Sequence, residues 1–154
     1  MTATLTIDEA AFTTSLMAEI EKAKIPCQAA MAYTFAEDAY NSFGESGSPR
    51  MNQWNDLSKK YAKNHHGGNR TPTLVLSGEL RESIKNGINI SQADCATVST
   101  DVPYAGLMQF GGKSEEGYNI PARPFFPIVG KDVWEPTAIK CVEACAEKLE
   151  SILK

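Results

Sequence analysis

The run Ile120-Pro121-Ala122-Arg123-Pro124-Phe125-Phe126-Pro127-Ile128 constrains this chain more than any other. Proline has no N–H to donate and fixes its own φ, so the run is extended and is not a central ladder strand throughout. The prolines also remove backbone freedom before folding. Two aromatics and an arginine are thereby held in a stiff, extended display. Arg123 carries five donors in a planar fork, suited to a carboxylate or to main-chain carbonyls. Two destinations are open for Phe125 and Phe126: the core of this domain, or a pocket on a neighbouring subunit, since aromatics and arginine concentrate at interface hot spots. For Arg123 the alternatives are an ion pair within the chain and the same docking role.

Around this run the apolar spacing reads mostly as helix. Thr6-Ile7-Asp8-Glu9 has the form of a capping box. Phe12, Leu16, Ile20 and Ala23 follow at helical spacing. Pro26 disfavours helical geometry at Ile25 and suits the first turn of a new helix. The spacing therefore predicts a second helix over 26–41, with Ala29, Tyr33, Ala36 and Tyr40 on one face. Phe43 to Pro49 is loop by composition. Asp56 or Ser58 is placed to cap a short helix through Tyr61, and Asn64 to Thr73 reads as loop. After the apolar run Leu74-Val75-Leu76, Ser77 can cap a helix containing Leu80, Ser83 and Ile84, with Glu79 near its positive end.

Ile88 and Ile90, then Ala96, Val98 and Thr100, alternate with polar residues as two short strands joined near Gln92-Ala93-Asp94. Tyr104 to Phe110 is a turn or two of helix with an exit at Gly111-Gly112. Lys113 to Asn119, carrying Tyr118, is a polar loop that either stays in solvent or orders against a partner. A last helix begins near Asp132 or Pro136, with Ile139, Val142, Ala146, Leu149 and Ile152 or Leu153 as its apolar stripe. The sum is an α+β class: N-terminal helices, a small mostly antiparallel sheet, and a C-terminal helix packed on it. At 154 residues the chain reads as one domain over 1–154.

Several kinds of chemistry are left without residues to carry them. A net charge of −4 gives no global drive towards nucleic acid or an anionic membrane. No apolar stretch approaches the roughly 18 residues that span a bilayer. The first residues lack the basic and apolar regions of a secretory signal, so folding in the cytoplasm is expected. The four cysteines have no C-x-x-C pair. Cys141 and Cys145 stand one helical turn apart, where β-carbons are about 5–6 Å from each other, whereas a disulfide wants about 3.8 Å. Reduced thiols and no metal are expected. His65 and His66 are neighbours in the loop, and no H-E-x-x-H, G-x-S-x-G or Walker motif occurs. No catalytic, cofactor-binding or metal residue is assigned. The basic stretch from Lys59 to Arg70 is either a solvated face or a contact for phosphate.

Four motifs in order carry a family resemblance. They are Trp54-x-x-Leu57-Ser58; Leu76-x-Gly78-x-Leu80-x-x-Ser83; Tyr104-Ala105-x-x-Met108-Gln109-Phe110-Gly111; and Ile120-Pro121-Ala122-Arg123-Pro124-Phe125. Together they resemble the phage virion morphogenesis, or tail-completion, family of Mu- and P2-like phages. Met108 stands where that family often has His, and Ser77 where it often has Thr. The resemblance implies a non-enzymatic subunit of the tail end or head–tail junction, built into the virion in the bacterial cytoplasm. Its partners would be other tail or neck proteins and further copies of itself in a ring, with nucleic acid present only as passing genome. A head-side neck or minor capsid protein, or a nucleic-acid-binding module, is the alternative. The residues expected at an assembly interface are Arg123, Phe125, Phe126, Tyr118 and Tyr104.

Overall fold

Helix α1 runs unbroken from Glu9 to Gly44, 36 residues with Pro26 inside, a rise of about 54 Å at 1.5 Å per residue. The computed structural model describes residues 9–44, 54–65, 67–69, 74, 77–90, 95–115 and 117–154, without the side chains of Glu9, Ala11, Phe12 and His65. The expected capping box, the place of Phe12 on the first stripe and positions 45–49 of the expected loop lie outside these residues. So do His66 and the link between the first two strands. Phe43 and Gly44, expected to open the loop over 43–49, are the last residues of α1, because the Phe43 ring is taken into the core.

The two helices expected on either side of Pro26 are one. A proline inside a helix costs about 3 kcal/mol relative to alanine, and here a second helix offsets it. Helix α5, Glu135–Leu153, packs antiparallel along α1. Thr137 donates to the Asp38 carboxylate, the Cys141 thiol to the carbonyl of Met31 at 3.5 Å, and the Cys27 thiol to the carbonyl of Cys145 at 3.6 Å. From Cys145 the last two turns of α5 continue past the level of Pro26, so a break there would leave the end of α5 without its support.

The face that α5 turns to α1 is not the expected stripe. Thr137 and Cys141 are buried, and Ala144 and Cys145 half-buried; of the expected stripe Leu149 and Ile152 are half-buried, while Ile139, Val142, Ala146 and Leu153 are exposed. Small side chains let two helices come close, and here they occupy the contact in place of the larger aliphatic residues. Helix α5 thus finds its support in α1 rather than in the strands.

The other end of α1 enters the core. Ala36, Ala39 and Phe43 pack with Trp54, with Leu80 and Ile84 of α3 (Glu79–Asn86), with Val102, with Ala105 of α4 (Ala105–Phe110), and with Phe125. Phe43 meets Trp54 edge-on at 5.6 Å between centroids and Phe125 at 5.6 Å. Of the residues expected to share one face, Ala36 is buried and Tyr33 exposed. Helix α2, Lys59–His65, begins at Ser58, whose hydroxyl accepts the N–H of Tyr61 at 3.2 Å. It outlasts its expected end at Tyr61. For α3 the Ser77 hydroxyl accepts the N–H of Glu79 at 3.3 Å, while Gly78 takes the cap position itself at φ 78°.

Among the described residues the strands form three separate antiparallel pairs. In the first, β1 (Ile88–Ile90) and β2 (Ala96–Val98) set Ile88 opposite Val98. In the second, β3 (Gly112–Lys113) and β4 (Asn119–Ile120) make a hairpin of the stretch expected as a polar loop. The N–H of Ser114 donates to the carbonyl of Tyr118 at 2.9 Å and the N–H of Tyr118 to the Ser114 hydroxyl at 3.1 Å. In the third, β5 (Ile128–Val129) and β6 (Asp132–Val133) turn the chain into α5. Asp132 is therefore strand, and the helix begins beside Pro136. The class is α+β, as the order of elements predicts.

Candidate functional site

An extended segment without a ladder partner must satisfy its backbone groups by other means. Residues 121–127 do so through side chains from three regions of the chain. Gln109, buried in α4, accepts the N–H groups of Phe125 at 2.9 Å and Phe126 at 3.0 Å on one amide oxygen. Its amide nitrogen donates to the carbonyl of Phe126 at 3.4 Å. The Trp54 indole donates to the carbonyl of Pro124 at 3.2 Å, and the Ser42 hydroxyl of α1 to that of Phe125 at 3.4 Å. The N–H of Arg123 donates to the carbonyl of Met108 at 2.7 Å. The proline segment is thus a strut through the middle of the molecule.

The expected interface residues divide on this strut. Phe125 is 1% exposed and belongs to the core. Arg123 is 6% exposed, and its Nε and Nη2 both donate to the carbonyl of Asn55 at 3.3 Å. Of the two partners open to it from sequence, it has taken a main-chain carbonyl of its own chain. Burial lowers its pKa and the nearby Tyr61 works the other way; an arginine remains charged under both influences. Phe126 is half-buried, between Phe125 at 4.9 Å and Phe35 of α1 at 5.9 Å. In the monomer these three side chains hold the strut and do not stand out from it.

Tyr104 and Tyr118 do lie at the surface. Tyr104 precedes α4, with its hydroxyl 3.5 Å from a carboxylate oxygen of Glu79. Burial pushes that hydroxyl above its usual pKa, and the charge of Glu79 adds to the effect. Tyr118, on the β3–β4 hairpin, is 66% exposed. Sequence reading passed over a third residue, Phe110, which is 75% exposed at the end of α4. Its signal was its place directly before Gly111-Gly112. Gly111 has φ 70°, and a β-carbon there would sit 2.7 Å from the amide nitrogen of Ala122, so α4 ends where the strut crosses it. An open cleft of about 380 Å³ beside Tyr104 is lined by Glu79, Glu82 and Asp101 among others. The described residues contain no group of three His, Cys, Asp or Glu that could hold a metal ion. No described helix is long and apolar enough to cross a membrane.

Three of the four sequence motifs meet at the strut through Trp54, Gln109, Arg123 and Phe125, and the second reaches the same core through Leu80. A protein-family model built for phage virion morphogenesis proteins matches residues 8–136. This chain belongs to the phage virion morphogenesis family. It is also 30% identical over 118 residues to the Mu-like prophage FluMu G protein 2 of Haemophilus influenzae, a match covering 75% of each chain. No solved structure matches it. Membership accounts for the order of the motifs, and the strut shows what they do physically. They fix a strand-like segment that pairs with no strand among the described residues. The role that follows for the chain is one in virion morphogenesis.

Proposed function

We propose that this protein is a tail-completion or head–tail joining subunit that acts by oligomeric assembly rather than by turnover. The observation that carries the reading is the family match over 8–136, from α1 to the first turn of α5. The surface supports it: Tyr104, Phe110 and Tyr118 are exposed on short elements next to the strut. Aromatic side chains held on a rigid base lose little entropy on docking, which suits contact with other proteins. In this reading Tyr104, Phe110 and Tyr118 meet neighbouring tail or neck proteins, while Arg123, Phe125 and Phe126 keep that surface in shape. The subunit is made in the host cytoplasm, joins further copies of itself and ends in the particle.

A phage or prophage carrying a nonsense mutation in this gene tests it. The expected lysate contains filled heads and separate tails that do not join, and the wild-type gene supplied in trans restores infectious particles. Complementation by a gene carrying Phe110→Ser and Tyr118→Ser should restore few. Normal yields of infectious particles without the protein would overturn the reading.

A further inference from the structure

The outward face of α5 carries Ile139, Val142, Ala146, Leu149 and Leu153. Their spacing of three, four, three and four residues is that of a coiled-coil seam. Val142 is 63% exposed, Ile139, Ala146 and Leu153 are also exposed, and Leu149 is half-buried. Helix α5 already rests on α1 through its small residues, so this second and more apolar stripe is not what holds it in the fold. Single exposed aliphatic residues need no explanation, but a continuous seam of them marks a contact surface.

Charge decides which surface meets it. Away from α1 the seam is bordered by Glu143, Glu147 and Glu150, all exposed. Among the lysines of this helix, Lys140 is joined to Asp38 at 3.3 Å and Lys148 lies beside Cys27. Only Lys154, at the very end, follows the acidic row. Two α5 seams laid antiparallel would bring Glu143 of one against Glu150 of the other, an unfavourable arrangement. The same chain carries a matching surface on another element. Helix α2 exposes Lys59, Lys60 and Lys63 on one side and the half-exposed ring of Tyr61 on another.

We propose that the α5 seam of one subunit receives the α2 face of a second copy, aliphatic seam against Tyr61 and glutamates against lysines. Such a contact joins two different patches, and repetition of it closes a ring or extends a chain. The inference gives the assembly reading a self-contact, and rests on that reading only for its place in the virion.

Sedimentation of the purified full chain tests it. Wild type should associate as its concentration rises to about 100 µM, and a change from about 0.1 to 0.5 M salt should weaken that association. Val142→Glu, Glu143→Lys with Glu150→Lys, and Lys59→Glu with Lys60→Glu and Lys63→Glu should each weaken it at least about tenfold, as loss of interface charge pairs does. Circular dichroism should show each variant folded. The two charge reversals combined in one chain should associate again, which a merely misfolded variant does not do. A wild type that stays monomeric overturns the proposal. So does loss of association with Val142→Glu but not with the α2 reversal, the signature of α5 pairing with itself. Phage assembly is a separate readout: a phage that needs no copy of this gene removes the virion role and leaves the self-contact standing.

Discussion

One amide side chain does for Phe125 and Phe126 what a neighbouring strand would otherwise do. Gln109 accepts two backbone N–H groups on a single oxygen in a buried site. A buried donor left without an acceptor costs about 1–3 kcal/mol. Gln109→Leu is more apolar and of similar size, yet it should lower stability by about 2–4 kcal/mol in urea unfolding, because two amides lose their partner. Phe125→Ala should cost about 3–5 kcal/mol in the same assay, the usual range for emptying a buried aromatic site. Little effect of Gln109→Leu would mean that solvent reaches those amides. Sequence alone placed Arg123, Phe125 and Phe126 in a stiff, extended segment, and that is how they are held. It left open whether they turn inward, because the proline spacing fixes backbone shape and says nothing about which side the protein fills. Gln109 was visible only as a motif letter. Its one warning sign was an amide in the otherwise apolar six-residue helix Ala105–Phe110.

At the scale of elements, the long helices show where periodicity runs short of information. The stripe on α5 was legible as a stripe, but hydrophobic spacing cannot tell a face packed on its own chain from one turned outward. The true inner face of Thr137, Cys141 and Cys145 carries almost no hydrophobic signal, since its virtue is smallness. Pro26 misled for a related reason: local geometry speaks against a helix there, and the α1–α5 pairing outweighs it. That balance is testable. Pro26→Ala restores an N–H for the carbonyl of residue 22 and removes a ring from the helix interior. It should raise stability by about 1–3 kcal/mol, somewhat less than the full interior penalty. A loss of stability would show that the proline is accommodated by a local shape the chain depends on. The β3–β4 hairpin was hidden because each strand is two residues long and its closure depends on Ser114, whose hydroxyl and backbone both bond Tyr118.

For the molecule as a whole, the class and the single set of motifs were readable, while the separation into three small strand pairs and a helical pair was not. Those features depend on contacts between residues far apart in sequence. The thiols report on that arrangement. Cys141 is buried between the two long helices, Cys27 and Cys145 are half-buried there, and Cys95 is exposed. Burial pushes the Cys141 and Cys27 thiols above their usual pKa, with Asp38 adding to Cys141 and the Cys145 contact adding to Cys27. A raised pKa means less thiolate at neutral pH, and the thiolate is the reactive form. Alkylation of the native protein, followed by mass spectrometry, should modify Cys95 first and Cys141 last. Early reaction at Cys141 would mean that α5 separates from α1 well before the chain unfolds.

Because α1 is a single continuous rod, its two halves do not share one fate. From Ala36 to Phe43 it is gripped by the core, whereas near Cys27 its neighbour is α5. Unravelling that begins at the Glu9 tip advances turn by turn and meets, at residue 26, a place where one rung of the ladder is already missing. Past that rung each turn is clasped by more of the fold, so the tip can come undone and reform while the centre stays closed.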